Sequence, residues 1–105
     1  GIIENCANMG NVLVAGLKEA VGNHPRVGDI RGKGLMVAVE LVKDRDSRNR
    51  DAGLRNSVVD DCFRRGLLIL GCGKNSIRFS PSLVIDADEV ALAIELFEAA
   101  LESRA

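Results

Sequence analysis

Residues 65–85, RGLLILGCGKNSIRFSPSLVI, constrain the fold more than any other stretch of these 105 residues. An apolar run, Leu67 to Leu70, and an alternating segment, Ile77 to Ser80, flank a glycine-containing turn from Gly71 to Ser76, the pattern of an antiparallel hairpin. Pro81 stops the second run, because proline has no N–H to give to a ladder. Side chains change face at every step along a strand, so Ile77 and Phe79 point one way while Arg78 and Ser80 point the other. Arg78 thus stands in an otherwise largely apolar strand, where it needs an anion. Arginine suits a carboxylate or phosphate, which it grips with two parallel hydrogen bonds.

The elements around this hairpin follow from spacing. Met9, Leu13, Leu17 and Ala20 recur at three and four residues, which predicts an amphipathic helix from Cys6 to Val21, ended by Gly22 and Asn23. His24 and Pro25 then make a turn, with His24 as punctuation. Val27 to Ile30 reads as a short strand. The glycine-rich RGKG of Arg31 to Gly34 leads into a longer one, Leu35 to Val42, with Leu35, Val37, Val39 and Leu41 on one face and Met36, Ala38 and Glu40 on the other. Lys43 to Asp51 is a charged loop. Its Arg45, Arg48 and Arg50 are interleaved with Asp44, Asp46 and Asp51, as on a solvated surface. Leu54, Val58, Val59, Cys62 and Phe63 give a second helical stripe, closed by Gly66, with Arg64 and Arg65 suited to the helix C-terminus. Asp86, with Glu89 three residues on, starts a last helix that buries Val90, Ala93, Ile94, Phe97 and Leu101.

This order predicts an α+β fold: a small three- to four-stranded, mainly antiparallel sheet with helices packed on one face. The LLIL run and the Met36 and Ala38 side of the long strand are apolar on both faces. Three helices cover only one, so the other calls for a cover from outside the segment.

Composition narrows the chemistry. Acidic and basic side chains nearly cancel, 15 against 14, and no basic stripe forms, so neither nucleic acid nor an acidic membrane is an expected partner. No apolar run reaches the roughly twenty residues of a membrane span. Three cysteines without paired spacing and one histidine make no zinc site, and no Ser/His/Asp or Cys/His set can assemble. Unpaired cysteines fit a reducing cytoplasm, with Cys72, between two glycines, the best candidate for an exposed thiol. Lys33, Lys43 and Lys74 fall in turns or loops, where solvated amines make poor nucleophiles. RGKG and GCGKN match neither a P-loop nor a dinucleotide fingerprint and read as tight turns. Arg78 keeps two readings at this point: a partly buried ion pair with Glu40, on the same face, or with the Asp86 region, and a ligand-binding role.

The succession HPRVGDIRGKGLMVAVELVKDR, RGLLILGCGKNSIRFSPSLVI and a terminal amphipathic helix resembles the carboxy-terminal domain of class III pyridoxal-phosphate aminotransferases, most of all the 4-aminobutyrate aminotransferases. The resemblance implies that residues 1–105 are a single domain, the C-terminal small domain of a longer, homodimeric enzyme, packed on a large cofactor domain. It implies that the whole enzyme moves an amino group between an amino acid such as 4-aminobutyrate and a 2-oxo acid. It assigns Arg78, in IRFSP, to the arginine that holds a substrate carboxylate, and that in some members pairs with a glutamate of the large domain when no substrate is present. Pyridoxal 5'-phosphate, its Schiff-base lysine and its phosphate-binding residues would belong to the large domain. This segment would then hold no catalytic, cofactor-binding or metal-binding residue, and alone it would be inactive. Arg31 and the glycines of RGKGL match a family motif for which a structural role is the better reading. A racemase of the same family, a stand-alone module binding an effector carboxylate through Arg78, and a structural or dimerising domain stay open. The opening helix and the lack of a repeat argue against the module.

Overall fold

Alternation along the strands decides the layout. In a computed structural model, which describes residues 2–33, 36–44, 46–67, 69–73, 75–79 and 87–104, the elements are α1 (Ile2–Val21), β1 (Val27–Lys33), β2 (Met36–Leu41), α2 (Ala52–Arg64), β3 (Ile69–Cys72), β4 (Ser76–Phe79) and α3 (Ala87–Arg104). The strands form one sheet in the order β1-β2-β4-β3, antiparallel throughout. Two hairpins, β1–β2 and β3–β4, are joined through α2, and the central pair β2–β4 fuses them. Val37, Val39, Leu41, Ile69, Ile77 and Phe79 are at most 2 % exposed and line the face towards the helices. α1 packs on β1 and β2, α2 on β3 and β4, and α3 against both other helices. Phe97 of α3 meets Phe79 edge-on, with ring centroids 5.3 Å apart and planes at 67°.

The α+β architecture with helices on one face is as the sequence leads one to expect; the boundaries differ for local reasons. α1 begins at Ile2, earlier than Cys6. β1 runs on through Arg31, Gly32 and Lys33, which pair with Ala38, Val37 and Met36, so RGKG is mostly strand. β3, Ile69–Cys72, leaves Leu67 outside it and reaches two residues further into the turn than the apolar run suggests. Phe63 is 67 % exposed. The buried line of α2 is Leu54, Val58, Asp61 and Cys62, and Phe63 lies about 100° further round the helix than Cys62. Pro81, Ser80 and the Asp86 cap lie outside the described residues.

Gly66 closes α2 as expected, and the hydrogen bonds say how. Its N–H donates to Phe63 O at 3.1 Å, and Leu67 N donates to Cys62 O at 2.8 Å, with Gly66 at φ +94°. This double reach-back needs a left-handed residue, and the apolar residue after it, Leu67, is 4 % exposed. Near the same end Asp61, 7 % exposed, bonds Arg65 at 3.1 Å and Arg104 of α3 at 3.3 Å. Burial works against its charge, yet the two guanidinium groups outweigh it and hold the carboxyl below its ordinary value.

The start of α2 carries a cap that the charged-loop reading missed. Asp51 accepts Leu54 N at 2.9 Å and pairs with Arg26, whose Nε donates to Val42 O at 3.1 Å. The Leu54 N–H, chiefly, then burial acting in the opposite sense, and the Arg26 hydrogen bond and charge leave the carboxyl below its ordinary 3.8. The folded state therefore binds this proton less tightly than the unfolded one. Stability from Asp51 is complete above the unfolded pKa and is lost as pH falls through the lower folded value. Asp51→Ala is expected to cost about 1–2 kcal/mol at neutral pH. Thermal melts of variant and parent should stay apart above about pH 5 and draw together as pH falls below about 4; a gap that stays constant would show that the charged form is not what caps α2.

Candidate functional site

The ladder register builds the open face of the sheet. Arg31, Ala38 and Arg78 form one row across β1, β2 and β4, and Asp29, Glu40 and Ser76 form the next. Arg78 sits on an interior strand, half-buried, with the half-buried methyl of Ala38 opposite it on β2 and Leu70 opposite it on β3. No carboxylate among the described residues lies within ion-pair distance of it.

The Arg78–Glu40 pair, one of the readings the sequence leaves open, is not formed. Glu40 stands opposite Ser76, diagonal to Arg78, a spacing of about 7–8 Å. It is also directly opposite Asp29, and two carboxylates so placed repel unless a cation stands between them. Arg31 does this, with Nη1 at 3.3 Å from Asp29 and 3.4 Å from Glu40. The Asp86 alternative lies outside the described residues.

Two residues that sequence reasoning passed over hold the hairpin carrying Arg78. Asn75, 4 % exposed, bonds both backbone groups of Leu41, and Arg55 of α2 donates to the carbonyls of Gly73 and Ser76. Neither has a motif, since both depend on the meeting of elements distant in sequence.

Other candidates are inert or peripheral. The Cys62 thiol is pushed up to about 12, first by burial and then by Asp61, so it is neither nucleophile nor ligand at neutral pH. Cys6 and Cys72 have side chains outside the described residues. His24 accepts Arg26 N at 3.0 Å through Nδ1 and places Nε2 3.6 Å from Glu102, which makes it a turn residue as read. Among the described residues no group of three or more His, Cys, Asp or Glu could hold a metal, and no helix is long and apolar enough to cross a membrane.

Pyridoxal phosphate does not fit what is described. Lys18 and Lys43 are exposed, and Lys33 and Lys74 have side chains outside the described residues. Lys18 lines a cleft of about 320 Å³ beside Asn23 and Asp29. The described lining there offers no arginine or hydroxyl for a phosphate and no aromatic ring for stacking.

A family model for class III aminotransferases matches residues 1–101. The taurine–pyruvate aminotransferase of Bilophila wadsworthia is 35 % identical over 90 % of this chain and 23 % of its own length. The 4-aminobutyrate aminotransferase GabT of Escherichia coli is 32 % identical, over 90 % of the chain and 23 % of its own. An isoleucine 2-epimerase of Lentilactobacillus buchneri is 31 % identical over 93 % and 22 %. Among solved structures, a Bacillus anthracis aminotransferase superposes with a TM-score of 0.91 at 41 % identity, over 97 % of this chain and 24 % of that one. The chain thus spans just under a quarter of the length of the relatives it matches. From a family match running from the first residue through α1, both hairpins and nearly all of α3, we conclude that the chain belongs to the class III aminotransferases.

Proposed function

We propose that residues 1–105 are the C-terminal small domain of a longer class III aminotransferase, and that Arg78 binds a carboxylate of its substrate. The placement of Arg78 carries this reading: half-buried on an interior strand of the open face, faced by a methyl group on β2, and without a carboxylate partner among the described residues. A guanidinium on a rigid strand can fix a carboxylate with two hydrogen bonds and so orient the amine at the substrate's other end. The whole enzyme would transfer an amino group from 4-aminobutyrate or a similar ω-amino acid to a 2-oxo acid.

Class III aminotransferases depend on pyridoxal phosphate. The described residues do not fit that cofactor, so we assign it to the remainder of the polypeptide, which would cover the open sheet face. We further propose a cytoplasmic homodimer with no nucleic-acid or membrane partner, in keeping with the balanced charge. The test is steady-state kinetics of the full-length protein and its Arg78→Ala variant with 4-aminobutyrate and with butylamine, in which a methyl group replaces the carboxylate. Equal losses with both donors would reject Arg78 as the carboxylate ligand.

The epimerase relative supports a second reading, a racemase of the same family. Incubating the full-length protein with one enantiomer of an amino acid, without any 2-oxo acid, separates the two: a racemase inverts it, and a transaminase does not turn over.

A further inference from the structure

The start of β4 is held from both sides by side chains that carboxylate binding leaves unused. Asn75 lies one residue before the strand and is buried. Its backbone oxygen accepts Leu41 N at 2.9 Å, and its side-chain Nδ2 donates to Leu41 O at 2.6 Å. In a regular antiparallel pair the second bond comes from a backbone N–H. Here the carboxamide supplies it, and the β2–β4 ladder gains one rung where the backbone leaves for the turn. Leu41 O also accepts Asp51 N at 3.2 Å, which ties this rung to the cap of α2. On the other side Arg55 Nη1 donates to Ser76 O at 3.3 Å and Gly73 O at 3.4 Å. The guanidinium lies directly over Gly71, where an added Cβ would stand 2.9 Å from Nη1.

These holds bear on Arg78 because it is the third residue of β4, two along from Ser76. A slip of one residue would turn Arg78 to the helix side, and a slip of two would carry it about 7 Å from Ala38. We propose that Asn75 is a positioning residue for Arg78, with Arg55 as the second hold. Asn75 does not touch substrate; it fixes the register at which the guanidinium meets the carboxylate. The proposal rests on Arg78 being the carboxylate ligand.

The experiment is kinetics of the full-length protein with Asn75→Ala, alone and combined with Arg78→Ala, using 4-aminobutyrate and butylamine as donors. Asn75→Ala is expected to raise KM for 4-aminobutyrate about tenfold and to leave kcat/KM for butylamine within about twofold. In the Arg78→Ala background the same change should add nothing for 4-aminobutyrate. Equal effects on both donors, or none on either, would overturn the positioning role. If Asn75→Ala does not accumulate as folded protein, Arg55→Lys, at a half-buried position, replaces it: a smaller split between donors supports the role and no split rejects it. A donor split with Arg78→Ala but none with Asn75→Ala removes only the positioning role. No split with Arg78→Ala removes the carboxylate reading itself.

Discussion

Arg78→Ala in the full-length protein is expected, on the carboxylate reading proposed above, to lower kcat/KM for 4-aminobutyrate by roughly 10²–10³ and to leave butylamine within about twofold. Truncating one partner of a desolvated, hydrogen-bonded charge pair costs about 2–5 kcal/mol, and each 1.4 kcal/mol is a factor of ten. Arg78 is half-buried already and becomes more so if the open face is covered, which places the loss in the middle of that range. Arg78→Lys keeps the charge and loses the planar fork, so about a tenfold deficit should remain. How the loss divides is informative. A rise in KM alone means that the carboxylate is held equally in ground and transition states, while a fall in kcat means that the grip also orients the amine. Melting should change little, because the side chain lies on the face away from the core and no carboxylate among the described residues is orphaned by its removal. A large drop in melting temperature with unchanged donor preference would instead make Arg78 part of a structural pair.

The residues legible from sequence are those whose information is local. The period of two along IRFSP puts Arg78 and Ile77 on opposite faces whatever else the chain does. Gly66 ends α2 because the left-handed cap is a property of that one position. Where the reading missed, the deciding partner is distant. Glu40 has Arg78 on its own face, yet Arg31 claims it, and this is visible only once the register sets Asp29 opposite Glu40. The glycines of RGKG read as a tight turn in sequence, whereas pairing with β2 recruits Arg31, Gly32 and Lys33 into β1. Phe63 continues an apolar run in sequence but lies outside the buried line of a helix that has only one covered side. Asn75 and Arg55 look like turn and helix-surface residues until α2, β2 and the β3–β4 turn are brought together.

Phe97→Ala should be the most damaging single change to the fold, and its comparison with Arg78→Ala separates stability from specificity. Phe97 is fully buried and meets Phe79 edge to face at 5.3 Å, so it links α3 to the strand that carries Arg78 on its other side. Removing a buried phenylalanine costs about 3–5 kcal/mol, and the aromatic pair adds about 0.5–1.5 kcal/mol beyond burial. Against the roughly 5–15 kcal/mol that holds a domain together, such a loss takes much of the margin. Phe97→Leu refills part of the volume and should recover more than half of it, since swaps that roughly conserve volume usually cost under about 1.5 kcal/mol. Thermal denaturation of the full-length protein should thus rank parent, Phe97→Leu and Phe97→Ala in that order, with Arg78→Ala close to the parent. The ratio of 4-aminobutyrate to butylamine turnover, measured where each variant is still folded, should rank them differently: only Arg78→Ala should move it. If Phe97→Ala shifted that ratio as far as Arg78→Ala does, the two faces of β4 would be coupled through the strand, and the division between a core that sets stability and an open face that sets substrate choice would not hold.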